Sequence, residues 1–384
     1  MSEELYYPPE SVSSKAHVGS MEQYRELYER SIKFPEDFWA EQAEHFSWFK
    51  KWDQVRSYNY DVTKGDIYIE WFMGGQLNIT SNCLDRHLES RGNQIAILWE
   101  GNEPGENKSL TYKELHREVC KFANVLKERG VKKGDRVSIY MPMVVELAVA
   151  MLACARIGAI HSIVFGGFSA TALADRIVDS SCEFLVTTDG GYRGAKAIPI
   201  KANADEAMDL AENQGVLVKT CVVARRGGDK MPVVMQEGRD FWWHDEMSDA
   251  DPVCEPEVME SEDPLFTLYT SGSTGKPKGV LHTTAGYMIY TALTHRYTFD
   301  YQSGDIWWCT ADIGWVTGHS YIIYGPLING ATTVMFEGVP TYPDAGRFWD
   351  VVDRLKVTQF YTAPTAIRAL MACGEEIITK YHLS

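Results

Sequence analysis

Two periodicities trade places along this chain. Leu115, Val119, Phe122 and Leu126 recur every three or four positions, the repeat of one helix face. Thr111 precedes this run with Glu114 three residues on, the two partners of a capping box, and Gly130 ends it. Arg136 to Met141 then reads as a short strand stopped by Pro142, and Val144 to Ile157 as an apolar helix. Ala159 to Phe165 reads as a buried strand, Ala170 to Asp179 as a helix, and Glu183 to Thr188 as another strand. After a looser region near Arg225 to Pro264 the alternation returns. Strands are expected at Leu265 to Thr270, Ile306 to Thr310, Thr332 to Phe336 and Thr358 to Tyr361, with helices at about Ala285 to His295, Ala345 to Leu355 and Thr365 to Ala372. Strands alternating with helices predict an α/β fold with two doubly wound, parallel-type sheet layers.

Residues 20–80 break this rhythm. They interleave charges with Trp39, Phe46, Trp48, Phe49, Trp52, Trp71 and Phe72, which predicts a helical, aromatic-rich extension packed on a larger domain. The expected organisation is a flexible tail over 1–19, the extension over 20–80, and one large domain over 81–384. The longest apolar stretch, Val144 to Phe168, is interrupted by Glu146, Arg156, Gly158 and His161, so it reads as helix, turn and strand and no membrane association is expected.

Composition narrows the function classes. Lys and Arg number 37 against 53 Asp and Glu, a net charge of −16, which argues against a broad nucleic-acid surface. A local loop of backbone N–H groups can still hold a phosphate in an acidic protein. The 8 cysteines are scattered without a C-x-x-C pair, so reduced thiols in a cytoplasmic protein are expected, not zinc or disulfides. The opening residues have no basic and no apolar segment of a signal peptide.

The strongest motif is Tyr269-Thr270-Ser271-Gly272-Ser273-Thr274-Gly275-Lys276-Pro277-Lys278-Gly279, placed after an apolar strand and before a second apolar run. Glycines permit backbone dihedrals that other residues avoid, hydroxyls donate to phosphate oxygens, and the lysines add charge. A Walker-type loop is excluded by spacing, because Pro277 stands where its second glycine is required. The segment resembles the signature loop of adenylate-forming enzymes. Further stretches narrow the likeness: Val280 to Thr284, Gly304 to Asp312, Gly314 to Ser320, Met335 to Pro340, Tyr361 to Arg368 and His161 to Ser169 resemble AMP-forming acetyl-CoA and propionyl-CoA synthetases. The aromatic segment from about Met21 to Leu77 resembles their amino-terminal extension.

The resemblance implies a ligase that activates acetate with ATP and passes the acetyl group to CoA, with Mg2+ in attendance. Lys276 and Thr270 would be catalytic, and Thr270, Ser271, Gly272, Ser273, Thr274, Gly275 and Lys276 would cradle the ATP phosphates. Arg193, Gly194, Ala195, Lys196, Thr317 and Thr341 would meet CoA, and Val316 with Thr317 would line the acyl pocket. No residue of this chain is assigned to a metal. Lys196, Thr341 and Ala285 stand where the family commonly has Arg, Asn and Gly. The resemblance further implies that the chain is an amino-terminal part of such an enzyme, with the adenine-site motifs, the magnesium carboxylate and the small lysine-bearing domain expected beyond Ser384. Residues 1–384 alone are then expected to be inactive. A propionyl-CoA or other short-chain acyl-CoA synthetase is the alternative, and a truncated, non-catalytic nucleotide-binding protein the alternative from another class. His282, His295 and His319 are expected to be structural, because an ionised carboxylate needs no strong base to attack ATP. Trp307, Trp308 and Trp315 are expected in the core.

Overall fold

A computed structural model describes residues 7–270 and 277–383. Two sheets carry the large domain. The first has seven strands in the order Asp240–Trp242, Thr220–Ala224, Phe184–Thr188, Arg136–Met141, Ile160–Phe165, Pro264–Thr270 and Lys278–Thr283. All neighbours run parallel except the last pair. The second has five strands in the order Gln359–Tyr361, Ile306–Cys309, Thr332–Phe336, Ile95–Glu100 and Asn107–Thr111, again parallel except for the last pair. The α/β expectation therefore holds, and the assignment of strands to layers needs correction. Pro264–Thr270, expected to open the second layer, joins the first sheet beside Ile160–Phe165. Ile95–Glu100, which precedes both layers in sequence, sits inside the second.

Alternation along each strand explains how the layers share a core. Val137, Ile139 and Met141 face a cluster that also holds Ala96, Ile97, Trp307 and Met335 of the second sheet. Tyr140, between them, faces the opposite side, where Leu173, Ile177, Ala204 and Met208 cover the first sheet. Trp307 and Trp308 divide likewise: one joins the shared core, the other packs with Phe348 and Val351 beyond the second sheet. The helix Val145–Arg156 is apolar nearly all round and buried at every position but Glu146, as a helix enclosed by neighbours must be. The helix Tyr112–Glu128 begins with the expected capping box: Thr111 accepts from the Glu114 N–H, and the Glu114 carboxylate accepts from the Thr111 N–H at 2.8 Å.

The extension is only half helical. Met21–Lys33 and Pro35–Ala43 are helices, but Gln54–Asn59 and Tyr68–Met73 pair as an antiparallel hairpin. The antiparallel pairing of these two segments, from Gln54 opposite Met73 to Asn59 opposite Tyr68, replaces the expected helix there. The start of the large domain is tied down by Asn78. Its buried amide donates to the carbonyls of Ala155 (3.1 Å) and Glu257 (2.9 Å). Within the expected tail, the His17 N–H donates to Asp300 at 2.8 Å, so that end is tethered. Among the described residues no helix is long and apolar enough to cross a membrane.

Candidate active site

The parallel strands of both sheets end at one cleft of about 250 Å³. Its walls come from residues just past strand ends: Pro142 and Met143, Phe165 to Gly167, Thr310 to Asp312, and Phe336 to Pro340. Carboxyl ends of parallel strands leave a crevice where loops diverge, which is where such sheets take ligands. Gly166 keeps the wall tight, since a Cβ there would lie 2.9 Å from the Met141 carbonyl oxygen.

A short hairpin closes one side. Gly191–Arg193 pairs with Lys196–Ile198, Arg193 opposite Lys196. Gly194 makes the turn at φ +59°, a value glycine adopts without strain. Buried Asn102 grips this turn twice: its Oδ1 accepts from the Gly194 N–H at 2.8 Å, and its Nδ2 donates to the Gly194 carbonyl at 3.0 Å. The hairpin thus presents Arg193 to the cleft, its guanidinium 5.4 Å from the Phe165 ring centroid. The turn lies against Val339 and Tyr342, which bracket Thr341.

Of the residues expected at the CoA site, the structure therefore brings Arg193, Gly194 and the Thr341 segment together. Ala195, Lys196 and Thr341 are exposed. Val316 and Thr317 open a short helix, Val316–Gly318, next to the cleft residue Trp315, and Val316 is 47% exposed. Thr270 ends the strand Pro264–Thr270 at the same end of the first sheet as Phe165. Ser271, Gly272, Ser273, Thr274, Gly275 and Lys276 lie outside the described residues. The strand before that loop is anchored by Tyr269, whose hydroxyl donates to Asp179 at 2.8 Å.

The histidines behave as expected of structural groups. Burial lowers His295 to about 3 and His319 to about 4, so both are neutral near pH 7, and it also lowers the half-buried His282. His161, which was not among those expected, is likewise held well below its usual range. Trp307 and Trp308 are core residues, but Trp315 is not: half of its surface is exposed and it lines the cleft, because it precedes the short helix at a strand end. Two carboxylates in the cleft were not singled out from sequence. Asp312 is pushed up to about 6 by burial, with the Gly314 N–H and Arg193 opposing. Glu337 is raised by burial, with Arg226 opposing. Asp312 closes the stretch Gly304 to Asp312, so its place after the strand expected at Ile306 to Thr310 was the available signal. Glu337 and Arg226 are 111 residues apart, and nothing local announced their pairing. Among the described residues no group of three His, Cys, Asp or Glu side chains could hold a metal ion. All eight cysteines are unpaired.

Comparison with known proteins adds two family matches. The model described as AMP-binding enzyme matches residues 84–384, and the one described as acetyl-coenzyme A synthetase N-terminus matches residues 24–83. A Halorhodospira halophila protein named acetyl-coenzyme A synthetase is 60% identical over 383 residues, covering 99% of this chain and 58% of that protein. Proteins of the same name from Rhizobium rhizogenes and Brucella anthropi are each 56% identical over 380 residues, 99% of this chain and 57% and 58% of theirs. The chain thus spans less than three fifths of the length of these curated relatives.

Proposed function

The chain belongs to the AMP-binding enzyme family, and from that premise we propose that its protein is an acetate–CoA ligase of the AMP-forming type. The observation that carries this reading is the 56–60% identity, running along 99% of the chain, to relatives named acetyl-coenzyme A synthetase. A cleft at the converging strand ends, with Arg193 at its mouth, supports it.

The chemistry has two halves. An acetate oxygen attacks the α-phosphorus of ATP, the bond from that phosphorus to the α,β-bridging oxygen breaks, and pyrophosphate leaves with its electron pair. The CoA sulfur then attacks the acyl carbon, loses its proton, and AMP departs with the electron pair of the carbon–oxygen bond. In the first half, charge must be dispersed over phosphate oxygens. Thr270 and the loop through Lys276 are assigned that task, and Mg2+ bound to the ATP phosphates would share it. In the second half Arg193 is assigned the phosphates of CoA, since its fork meets two oxygens at once. Lys196 opposite it supplies charge without the fork. Val316 and Thr317, beside Trp315, are assigned to the acyl group. Unpaired thiols suit a cytoplasmic setting. Residues 1–384 by themselves are expected to bind CoA without forming acetyl-CoA.

The test uses the full protein that carries this sequence, with Arg193→Ala as the diagnostic variant. Acetate-dependent exchange of pyrophosphate into ATP reports the first half, and acetyl-CoA formation reports both. The proposal expects Arg193→Ala to raise the KM for CoA about tenfold or more with exchange near normal. Absence of acetate-dependent exchange in the unsubstituted protein would overturn the ligase reading. An equal fall in both assays would overturn the assignment of Arg193 to CoA.

A further inference from the structure

One arginine stands behind the cleft wall and ties its residues Glu337 and Tyr192 to the loop of Glu106. Arg226 follows the strand Thr220–Ala224 of the first sheet. Its Nε donates to both oxygens of Glu337 at 2.9 Å, and its Nη2 donates to Glu106 at 2.6 Å. Both acids belong to the second sheet's connections: Glu337 follows Phe336, and Glu106 precedes Asn107–Thr111. The loop carrying Arg226 is pinned from behind. Asp189 accepts from the N–H groups of Arg226, Gly227 and Gly228 at 2.6, 2.9 and 2.8 Å. The guanidinium lies 5.0 Å from the ring centroid of Tyr192, the residue before Arg193. It also lies 5.6 Å from that of Trp99. Glu106 and Asn102 share one connection of the second sheet, so the acid that holds Arg226 and the amide that holds Gly194 stand in the same loop.

The energetics say what such a clamp is for. The Arg226 and Glu337 side chains are 13% and 1% exposed, so both are largely withdrawn from water. A buried ion pair recovers its desolvation cost only in part and is weak evidence for stability. Its geometric content is greater: two bidentate-capable acids from one sheet fix a planar fork from the other, and the fork supports the aromatic ring next to Arg193.

We propose that Arg226 is a positioning residue for CoA, holding the Gly191–Ile198 hairpin across the two sheets so that Arg193 faces the cleft. This rests on the CoA reading of the cleft given above. Arg226 acts through Arg193 and touches no ligand itself. Its removal therefore weakens CoA binding only while Arg193 is there to be misplaced.

The experiment is a double-mutant cycle on the full protein that carries this sequence, with CoA affinity measured by calorimetric titration and folding by thermal melting. Arg226→Gln is expected to weaken CoA about tenfold, and Arg226→Lys, which keeps the charge without the fork, by less. In an Arg193→Ala background Arg226→Gln is expected to change CoA affinity less than twofold, since the group it positions is gone. An equal loss in both backgrounds would make Arg226 a general support of the fold and overturn the proposal. So would an unchanged affinity in the single variant. Should Arg226→Gln not fold, Glu106→Gln decides in its place, because it frees only one arm of the guanidinium. The same non-additivity with Arg193→Ala is then required. No CoA binding by the unsubstituted full protein would instead overturn the CoA reading, and this inference with it.

Discussion

At the scale of single residues, burial decides which charges matter. Arg156, 2% exposed, donates to Asp85 at 2.8 and 2.9 Å, and His116 lies 3.3 Å from the same carboxylate with Cys120 beside it. Burial pushes the Asp85 carboxyl up, but hydrogen bonds from His116 and Arg156 more than reverse this and hold it well below its usual range. His116 is raised to about 9, chiefly by its hydrogen bond to Asp85. A histidine whose folded pKa lies above its unfolded value of about 6.5 stabilises fully below that value. The contribution fades as pH rises from there through the folded value near 9. Asp85 has the opposite sign: its contribution is present above about pH 4 and is lost as pH falls. We therefore expect His116→Gln to lower the melting midpoint most near pH 6, with the difference from the unsubstituted chain shrinking toward pH 9. A difference independent of pH across that span would mean that His116 acts by packing and not by charge.

Single elements show why local rules worked where they did. Thr111 and Glu114 form a capping box because each satisfies a helix-start donor the backbone cannot satisfy itself. Thr111→Ala should lower stability by about 1 kcal/mol, checked by urea unfolding, and a loss below a few tenths would show the cap to be redundant with packing. The same kind of local reading failed for Gln54–Asn59 and Tyr68–Met73, which were expected to be helical with the rest of the extension. Interleaved aromatics and charges suit an amphipathic helix and a half-exposed hairpin alike, and pairing between the two segments settles the choice.

For the whole molecule, the edges of the sheets carry the consequences. Lys278–Thr283 is the last strand of the first sheet, paired on one side only, and its neighbouring residues Val280 and Leu281 are 42% and 53% exposed. Consecutive strand residues point to opposite faces, so neither face of this edge is well covered. Such an edge invites pairing with another chain. Residues 1–384 should self-associate in size-exclusion chromatography as concentration rises, and Leu281→Lys should shift them toward the monomer. A concentration-independent monomer for the unsubstituted chain would refute this.

What the sequence by itself determined is the local vocabulary. Periods of 3.6 and 2.0 placed helices such as Tyr112–Glu128 and strands such as Arg136–Met141 to within a few residues. The glycine-, hydroxyl- and lysine-rich motif after Tyr269 marked the family, because that density of special residues has a chemical purpose few loops share. Tertiary structure alone decided which strands are neighbours. Period-two patterning reports which face of a strand is buried and says nothing about the strand beside it. Pro264–Thr270 therefore entered the first sheet and Ile95–Glu100 the second without any local sign. The cleft depends on that same choice, because its walls come from two sheets whose ends meet only after folding. The pairing of Arg226 with Glu337 spans 111 residues, and a contact of that range is written in the packing of the layers and in no segment of the chain.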